Sequence, residues 1–289
     1  MSRRAENLRR KRQRKIMLIR KYIRFTFCCV LIVVLAFAIN YLKKNMNNIS
    51  ESGNSGGNDV KKIKESKEES VKDVIKNYAE KHGYTLEDYP ENIQKLFERN
   101  KETKDFVLKY PEKKGKAYDI DFSKYKKTTE VPLFMQWDQR WGYHRYAGEM
   151  MGLSGCGPTA LSMVAIFMTS DITKNPRWVA DFASQNGYAV DGSGTAWSLM
   201  LEGARQIGLS SKEIPVERER VENNLQAGNP IIALMGPGEF TSNGHFIVLT
   251  GLQNGRLKIN DPNSRKNSEK TWDIDQVLEQ TKAVWVYYK

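Results

Sequence analysis

The sequence predicts a domain of the α+β class that follows a membrane-spanning helix and a small helical region. Three observations predict this organisation: an uncharged apolar run near the N-terminus, helical periodicity over residues 68–115, and helical patterns that precede strand patterns in residues 128–289. Helices that come before strands, without the alternation that builds a parallel sheet, indicate an antiparallel sheet with helices packed on it. A chain of 289 residues is long enough for one such core and for accessory segments.

The excess of positive charge lies almost entirely at the N-terminus. The formal net charge is +12, but eleven of the first 24 residues are Lys or Arg and a single one is acidic. The other 265 residues carry 35 basic and 33 acidic side chains, which leaves them nearly neutral. A nucleic-acid-binding domain carries its positive charge on the folded surface. We therefore expect no nucleic-acid partner.

The apolar run at residues 25–42, FTFCCVLIVVLAFAINYL, predicts the membrane helix. As a helix it would be about 27 Å long, close to the hydrocarbon thickness of a bilayer. Because the basic residues precede the run, the positive-inside rule places residues 1–24 in the cytoplasm as a basic head and the main domain outside. The sequence thus predicts a single-pass, signal-anchored protein of the cell membrane. Cleavage after the A-x-A match at Ala38, which would release the protein, is the alternative.

Two segments connect the membrane helix to the main domain. Residues 43–67 are rich in Asn, Ser, Gly, Glu and Lys and predict a flexible spacer. Residues 68–115 carry short apolar stripes with helical spacing, interrupted by Pro90 and Pro111, and predict a helical accessory region. Such a segment more often packs against or positions a domain than carries chemistry. We assign no site residue to it.

The helix and strand patterns of the main domain follow in residues 128–289. GCGPTALSMVAIFM, at 155–168, predicts a tight glycine turn that leads into a helix with Pro158 in its first turn. The turn Gln253-Asn254-Gly255 predicts that the strands on either side of it form a hairpin. Further helices are predicted at 176–184 and 196–206, and the predicted strands are 230–234, 245–252, 257–260 and 283–288.

Cys156 is the main chemical clue. The other two cysteines, Cys28 and Cys29, lie in the apolar run, so Cys156 has no partner for an intrachain disulfide outside the membrane. At the N-terminal end of a helix, unpaired N–H groups and the helix dipole favour thiolate over thiol. The flanking Gly155 and Gly157 would let a substrate carbonyl approach the backbone N–H of Cys156. A lone cysteine is either a small buried side chain or a nucleophile of this kind.

Two later residues favour the interpretation of Cys156 as a nucleophile. His245 begins the first strand of the predicted hairpin, and Asp261 follows the second. Since the second strand of a hairpin returns alongside the start of the first, the carboxylate would lie beside the imidazole. The chain order Cys, His, Asp then supplies a thiol, a base that takes its proton and an acid that orients the base.

These motifs resemble the papain-fold cysteine peptidases of family C39, specifically the stand-alone C39-like domains of bacterial surface proteins. The carriers are VPLFMQWDQRW, GCGPTALSMV, NPIIALMGPG, GHFIVLTG and INDPNS, between about residues 131 and 288. The resemblance implies a papain-like fold, in which a helix bearing the cysteine packs on an antiparallel sheet bearing the histidine and the aspartate. It implies Cys156 as nucleophile, His245 as general base and Asp261 as its orienting acid. The family's oxyanion-donating glutamine would be Gln136, with Gln139 as a near alternative.

Together with the predicted orientation, the resemblance implies an extracytoplasmic cysteine peptidase that hydrolyses peptide bonds through an acyl-enzyme. Its partner would be a peptide or protein substrate outside the membrane. Two alternatives stay open: a catalytically silent module that binds peptides or cell wall, and an amidase or acyltransferase that acts on cell-wall peptides. The sequence contains neither a phosphate-binding P-loop nor the spacing of a metal site, so we predict no cofactor and no metal.

Overall fold

The computed structural model of the protein describes residues 69–116 and 118–288. The predicted basic head, membrane helix and spacer, at 1–24, 25–42 and 43–67, lie outside these residues. Within the described part of the chain, no helix is both long enough and apolar enough to cross a membrane.

Short helices form the first part of the described chain. They are α1 (Val71–Lys81), α2 (Glu91–Arg99), α3 (Lys104–Leu108) and α4 (Tyr110–Lys113). Ser70 caps α1, because its side chain accepts a hydrogen bond from the backbone N–H of Asp73. The apolar faces of these helices form a core that includes Met135, Trp137 and Tyr143 from the following segment. The helical region is therefore packed directly against the main domain.

An antiparallel sheet forms the centre of the main domain, as the sequence predicts. Its strands are β5 (Ser210–Ile214), β6 (Ile231–Met235), β7 (His245–Gln253), β8 (Arg256–Asn260) and β9 (Thr281–Tyr288). Their order across the sheet is β5-β9-β6-β7-β8, and every neighbouring pair is antiparallel. The predicted α+β class is thereby confirmed.

Both faces of the sheet are buried. Along β6, Ile232 and Leu234 face one apolar core, whereas Ile231, Ala233 and Met235 face a second core on the opposite side. This alternation places every residue of β6 in contact with apolar neighbours, which explains why the central strand reads as a continuous apolar run.

The first of these cores is formed by the helices that follow the accessory region. They are α5 (Met151–Ser154), α6 (Cys156–Thr169), α7 (Pro176–Gln185) and α8 (Glu202–Gln206), with the short pairs β1 (Arg145–Tyr146) with β2 (Glu149–Met150) and β3 (Ala189–Val190) with β4 (Gly194–Thr195). Helix α6 is buried from Gly157 to Ile166, because it packs between the sheet and α7. The other face of the sheet carries α9 (Arg218–Gln226) and α11 (Ile274–Leu278), and α10 (Arg265–Glu269) follows the end of β8.

Candidate active site

Cys156 is the first residue of α6, as the sequence predicts. The glycines beside it serve close packing. A Cβ on Gly155 would lie 2.6 Å from the carbonyl oxygen of Met151, and a Cβ on Gly157 would lie 2.4 Å from Oγ1 of Thr195. The space over Gly157 is therefore occupied by Thr195 of β4 and is not open to a substrate, contrary to the expectation from the sequence.

The hairpin of β7 and β8 brings His245 and Asp261 together. Asn254 and Gly255 both have positive φ, at 51° and 72°, as a two-residue hairpin turn requires. Gln253 is paired with Arg256 across this turn, and the end of β8 returns beside the start of β7. The predicted hairpin is thus present, and Asp261 directly follows its second strand.

The imidazole and the carboxylate form a buried pair. Nε2 of His245 lies 2.7 Å from Oδ1 of Asp261, and the two residues are 6% and 1% exposed. Because Nε2 is engaged by the carboxylate, Nδ1 is the ring nitrogen left for the hydrogen bond with the thiol of Cys156. The structure therefore brings together the three residues that the sequence analysis proposed as a triad.

Additional hydrogen bonds hold the carboxylate in place. Asn267 donates from Nδ2 to Oδ2 of Asp261 at 2.8 Å, and the backbone N–H of Asn263 donates to Oδ1 at 2.8 Å. The backbone N–H of Asp261 donates to Oγ of Ser268 at 2.9 Å. Burial raises the pKa of the Asp261 carboxyl, but the charge of His245 and these donors outweigh it and hold the pKa below its usual range. The carboxylate is thus ionised near neutral pH.

Electrostatics at the site favour a thiolate next to an imidazolium. Burial raises the pKa of the Cys156 thiol, but the hydrogen bond and charge of His245, with the backbone N–H groups of Phe246 and Gly157, bring that pKa below its usual value. For His245, burial lowers the pKa of the imidazole, but the charge and hydrogen bond of Asp261 raise it above its usual value. A proton is therefore more stable on the ring than on the sulfur.

Gln136 lies at the same site and joins α5 to the segment that follows Asp261. Its Nε2 donates to the carbonyl oxygen of Gly152, 3.0 Å away, and its backbone N–H donates to the carbonyl oxygen of Pro262 at 2.7 Å. The side chain is 4% exposed, and its Oε1 has no hydrogen-bond partner among the described residues. It lines a cavity together with Cys156 and His245. Nε2 carries a second hydrogen, so the amide has one more donor besides the bond to Gly152.

The remaining sequence candidates lie elsewhere. Gln139 lines two cavities whose walls do not include Cys156. Nε2 of His144 lies 2.6 Å from Oδ1 of Asp181 at a separate part of the surface, and the exposed ring of His82 stacks on a tyrosine of α1. Of the two glutamines considered for the oxyanion, the structure thus brings only Gln136 to the cysteine.

Comparison with known proteins identifies the domain. The model of the Peptidase_C39 like family matches residues 128–289, more than half of the chain. The chain belongs to the Peptidase_C39 like family. No curated protein matches this chain.

Two solved structures of C39 peptidase domains are similar to this chain. The peptidase domain of Streptococcus ComA, a bi-functional ABC transporter involved in quorum sensing, is 20% identical, with a TM-score of 0.39 over 55% of this chain and 99% of that one. A C39-like peptidase from Bacillus anthracis is 16% identical, with a TM-score of 0.35 over 55% of this chain and 94% of that one.

A groove passes the thiol of this C39-like domain. It is formed by one cavity of about 650 Å³ and a second of about 480 Å³, and both have Cys156 in their walls. The two cavities also share residues from several segments, including Asn92, Arg99, Leu153, Asn243 and Gly244. The thiol therefore lies where the two halves of the groove meet.

Sequence reasoning missed the contribution of α2 to this groove. Asn92 and Arg99 belong to the helical accessory region, outside the C39-like domain, and the sequence analysis assigned no site residue to that region. The available signal was the polar face formed by Asn92, Lys95 and Arg99, opposite the apolar stripe of the helix. Nothing in a local pattern indicates which surface such a face lines, because that depends on how the helix docks.

Proposed function

We propose that this protein is a membrane-anchored, extracytoplasmic cysteine peptidase that hydrolyses peptide bonds through an acyl-enzyme. One observation carries the proposal: the buried 2.7 Å contact between Nε2 of His245 and Oδ1 of Asp261, with the opposite ring nitrogen directed to Cys156 at a helix N-terminus. A merely structural histidine does not need an ionised acid on one side and a thiol on the other.

Acylation uses the thiolate and the imidazolium in turn. The sulfur of Cys156 attacks the carbonyl carbon of the scissile bond, and the carbonyl oxygen takes the negative charge. When the C–N bond breaks, His245 gives its proton to the leaving amine, which departs as the first product. Water then attacks the thioester while His245 accepts its proton. The C–S bond breaks, the acid product leaves, and the thiolate and the imidazolium are restored.

Two further groups support these steps. Asp261 keeps the ring oriented with Nδ1 toward the sulfur and stabilises the imidazolium. The backbone N–H of Cys156 and the second N–H of the Gln136 side chain serve as donors to the oxyanion. Gln136 fits this role because its buried amide lines the same cavity as Cys156 and is held at Gly152, while its backbone N–H is held at Pro262.

The location of the protein is proposed from its sequence. The basic head and the apolar run at residues 25–42 support an orientation in which the peptidase domain lies outside the membrane. Protease added to intact cells should remove the C39-like domain and spare the head. Protection of that domain would contradict the orientation. A mature N-terminus at Ile39 would show that the chain is cleaved after Ala38 and that the protein is secreted, not anchored.

The chemistry is tested on the thiol and on cleaved products. Cys156→Ser should keep the fold and reduce turnover by about 10³-fold or more. The serine hydroxyl keeps its proton near neutral pH and is a much weaker nucleophile than the thiolate. Comparison of protein termini on cells that carry wild type or Cys156→Ser would identify the cleaved bonds. Ser184→Ala, at an exposed position of α7 that lines neither cavity, is the control and should leave turnover unchanged.

The alternatives predict different outcomes in the same experiment. A silent binding module would leave the termini unchanged and would bind peptides equally well with Cys156→Ser. An acyltransferase would join the acyl group to an added amine, which mass measurement of the products distinguishes from hydrolysis by water.

A further inference from the structure

Helix α2 presents a polar face to the groove beside Cys156. Asn92, Lys95 and Arg99 all line the larger cavity, and their spacing along the helix places them on one side of it. The opposite side of α2 is buried in the helical core. These residues precede the part of the chain that matches the C39 family, so the wall is an addition to the shared domain.

Arg99 is the cation best placed to meet a substrate. It lines both cavities, as Cys156 does. Within residues 69–116 and 118–288, its guanidinium has no ion-pair or hydrogen-bond partner. The ammonium of Lys95, by contrast, lies 2.7 Å from Oε1 of Glu91. A free guanidinium offers a planar set of N–H donors that matches the two oxygens of a carboxylate.

The acidic residues of the groove have other partners. Oε2 of Glu149 accepts a hydrogen bond from Nδ2 of Asn92 at 2.8 Å. The carboxylate of Glu239 accepts one from Nε2 of Gln276. Neither is paired with Arg99, so its guanidinium is open to a carboxylate that a substrate brings.

Helix α2 is fixed to the main domain at both ends, which holds the backbone of Arg99 at the edge of the groove. Near its start, Asn92 is bonded to Glu149 of β2. Directly after its end, Nδ2 of Asn100 donates to the carbonyl oxygen of Asn263, 2.6 Å away. Asn263 is two residues beyond Asp261, which joins this wall of the groove to the segment that holds the carboxylate.

We propose that Arg99, with Lys95 beside it, forms a cationic subsite that selects peptides with a carboxylate close to the bond presented to Cys156. That carboxylate is either an Asp or Glu side chain or the C-terminus of a short peptide, because the guanidinium binds both in the same way. The cleavage step rests on the proposed function. The subsite itself is a property of the groove that the thiol can report without any turnover.

The test compares two alkylating reagents of similar size on the whole protein, the anion iodoacetate and the neutral iodoacetamide. Arg99→Gln should lower the ratio of the iodoacetate rate to the iodoacetamide rate at Cys156 by about 2- to 5-fold, the range expected for an exposed ion pair. The iodoacetamide rate should not change. Arg99→Lys should keep most of the ratio, and added salt should lower it more in wild type than in Arg99→Gln.

Lys104→Gln is the matched control, because it removes one positive charge from the same helical region at an exposed position that does not line either cavity. The exposed Arg99 tolerates Gln in a helix, so folding is retained. An unchanged ratio in Arg99→Gln, or an equal fall in Lys104→Gln, would overturn the subsite.

A second arm uses cleaved peptides and separates this inference from the proposed function. If the ratio falls but no peptide is cleaved, the subsite is supported and the peptidase proposal fails. For cleaved peptides, replacement of a nearby Asp or Glu by its amide should raise KM in wild type but not in Arg99→Gln. The same effect from amidation of the C-terminus would identify the terminus as the bound group. If neither replacement changes KM, the subsite is contradicted.

Discussion

The hydroxyl of Ser264 donates a hydrogen bond to Oε1 of Glu102 at 2.9 Å, and this contact joins the accessory region to the segment that holds Asp261. The same carboxylate accepts from the backbone N–H groups of Arg265, at 2.9 Å, and Lys266, at 3.4 Å. Glu102 therefore satisfies the first N–H groups of α10, where a negative charge is also favoured by the helix dipole. Helix α10 also carries Asn267, which donates to the carboxylate of Asp261. The accessory region therefore helps to position Asp261 through two successive contacts, from Glu102 to α10 and from Asn267 to Asp261.

Glu102→Ala should destabilise the protein and impair catalysis without removing any group that touches a substrate. Loss of three hydrogen bonds to a partly exposed carboxylate should lower the free energy of unfolding by about 1–2 kcal/mol. A looser α10 should lower kcat more than it raises KM, because the orientation of Asp261 is affected. Chemical denaturation and steady-state kinetics measure the two effects.

Glu98→Ala, an exposed acid on α2, is the control for Glu102→Ala. Equal stability and equal kcat in the two variants would show that the helical region does not support the site. A loss of stability with kcat intact would reduce Glu102 to a structural contact.

The pH dependence of activity should have two limbs. The active form is the thiolate with the imidazolium, so activity should rise with pH as the thiol loses its proton and fall when the imidazolium loses its own. The pKa of Cys156 lies below its usual value and the pKa of His245 above its usual value. We therefore expect a broad plateau that includes neutral pH.

His245→Ala tests the origin of the acid limb. Without the imidazole, burial is the main remaining influence on the thiol, and it raises the pKa. The pH midpoint of alkylation should therefore move above that of an ordinary cysteine, whereas wild type should have its midpoint below it. The rate of iodoacetamide reaction measured against pH gives both midpoints, and coincident curves would leave the Cys–His pair unsupported.

Gln136→Glu should lower kcat by about 10²-fold, the usual effect of losing one oxyanion donor. The substitution keeps the length of the side chain but replaces its N–H groups by an acceptor. It also sets a carboxylate against the carbonyl oxygen of Gly152, so some loss of thermal stability is expected. Gln139→Glu, whose side chain lines other cavities, should leave kcat unchanged. Equal kcat in both variants would make Gln136 a structural link only.

Much of the site could be predicted because its signals are local. Asn254-Gly255 specifies a tight hairpin, and the apolar residues before this turn indicate the strand that becomes β7. The two strands of the hairpin then bring His245 and Asp261 together. Cys156 could be placed because a glycine turn followed by an apolar period marks a helix start. These features depend on short-range chemistry that the fold does not override.

Other elements carry weak signals or depend on docking. Strand β5, SSKEI, is an edge strand with only Ser211 and Ile214 buried, so its pattern is mostly polar. Helix α9 likewise buries only Val221 and Leu225. The role of Arg99 could not be predicted at all, because it follows from the contact between Asn100 and Asn263, which are 163 positions apart.

Asp261→Asn tests whether the Asp261 carboxylate supports the imidazolium of His245. An amide can still accept a hydrogen bond from Nε2 of His245, but it carries no charge to favour the imidazolium. We expect kcat to fall by about 10²- to 10⁴-fold, with KM much less affected. Thermal stability should also fall, because Asn has one acceptor oxygen where Asp has two. If that oxygen accepts from His245 and from the backbone N–H of Asn263, the new NH2 group faces the Nδ2 donor of Asn267.

Asp273→Asn is the matched control for this substitution. Asp273 caps α11, since its side chain accepts from the backbone N–H of Gln276, and Asn is as good a cap as Asp. That variant should therefore change neither kcat nor the thermal midpoint. If Asp261 merely began a turn before Pro262, Asp261→Asn would be as silent as the control, because Asn also favours turns. Equal kcat in both variants would remove Asp261 from the triad and leave a Cys–His dyad, in which Asn260 would be the next side chain to test as the group that orients the ring.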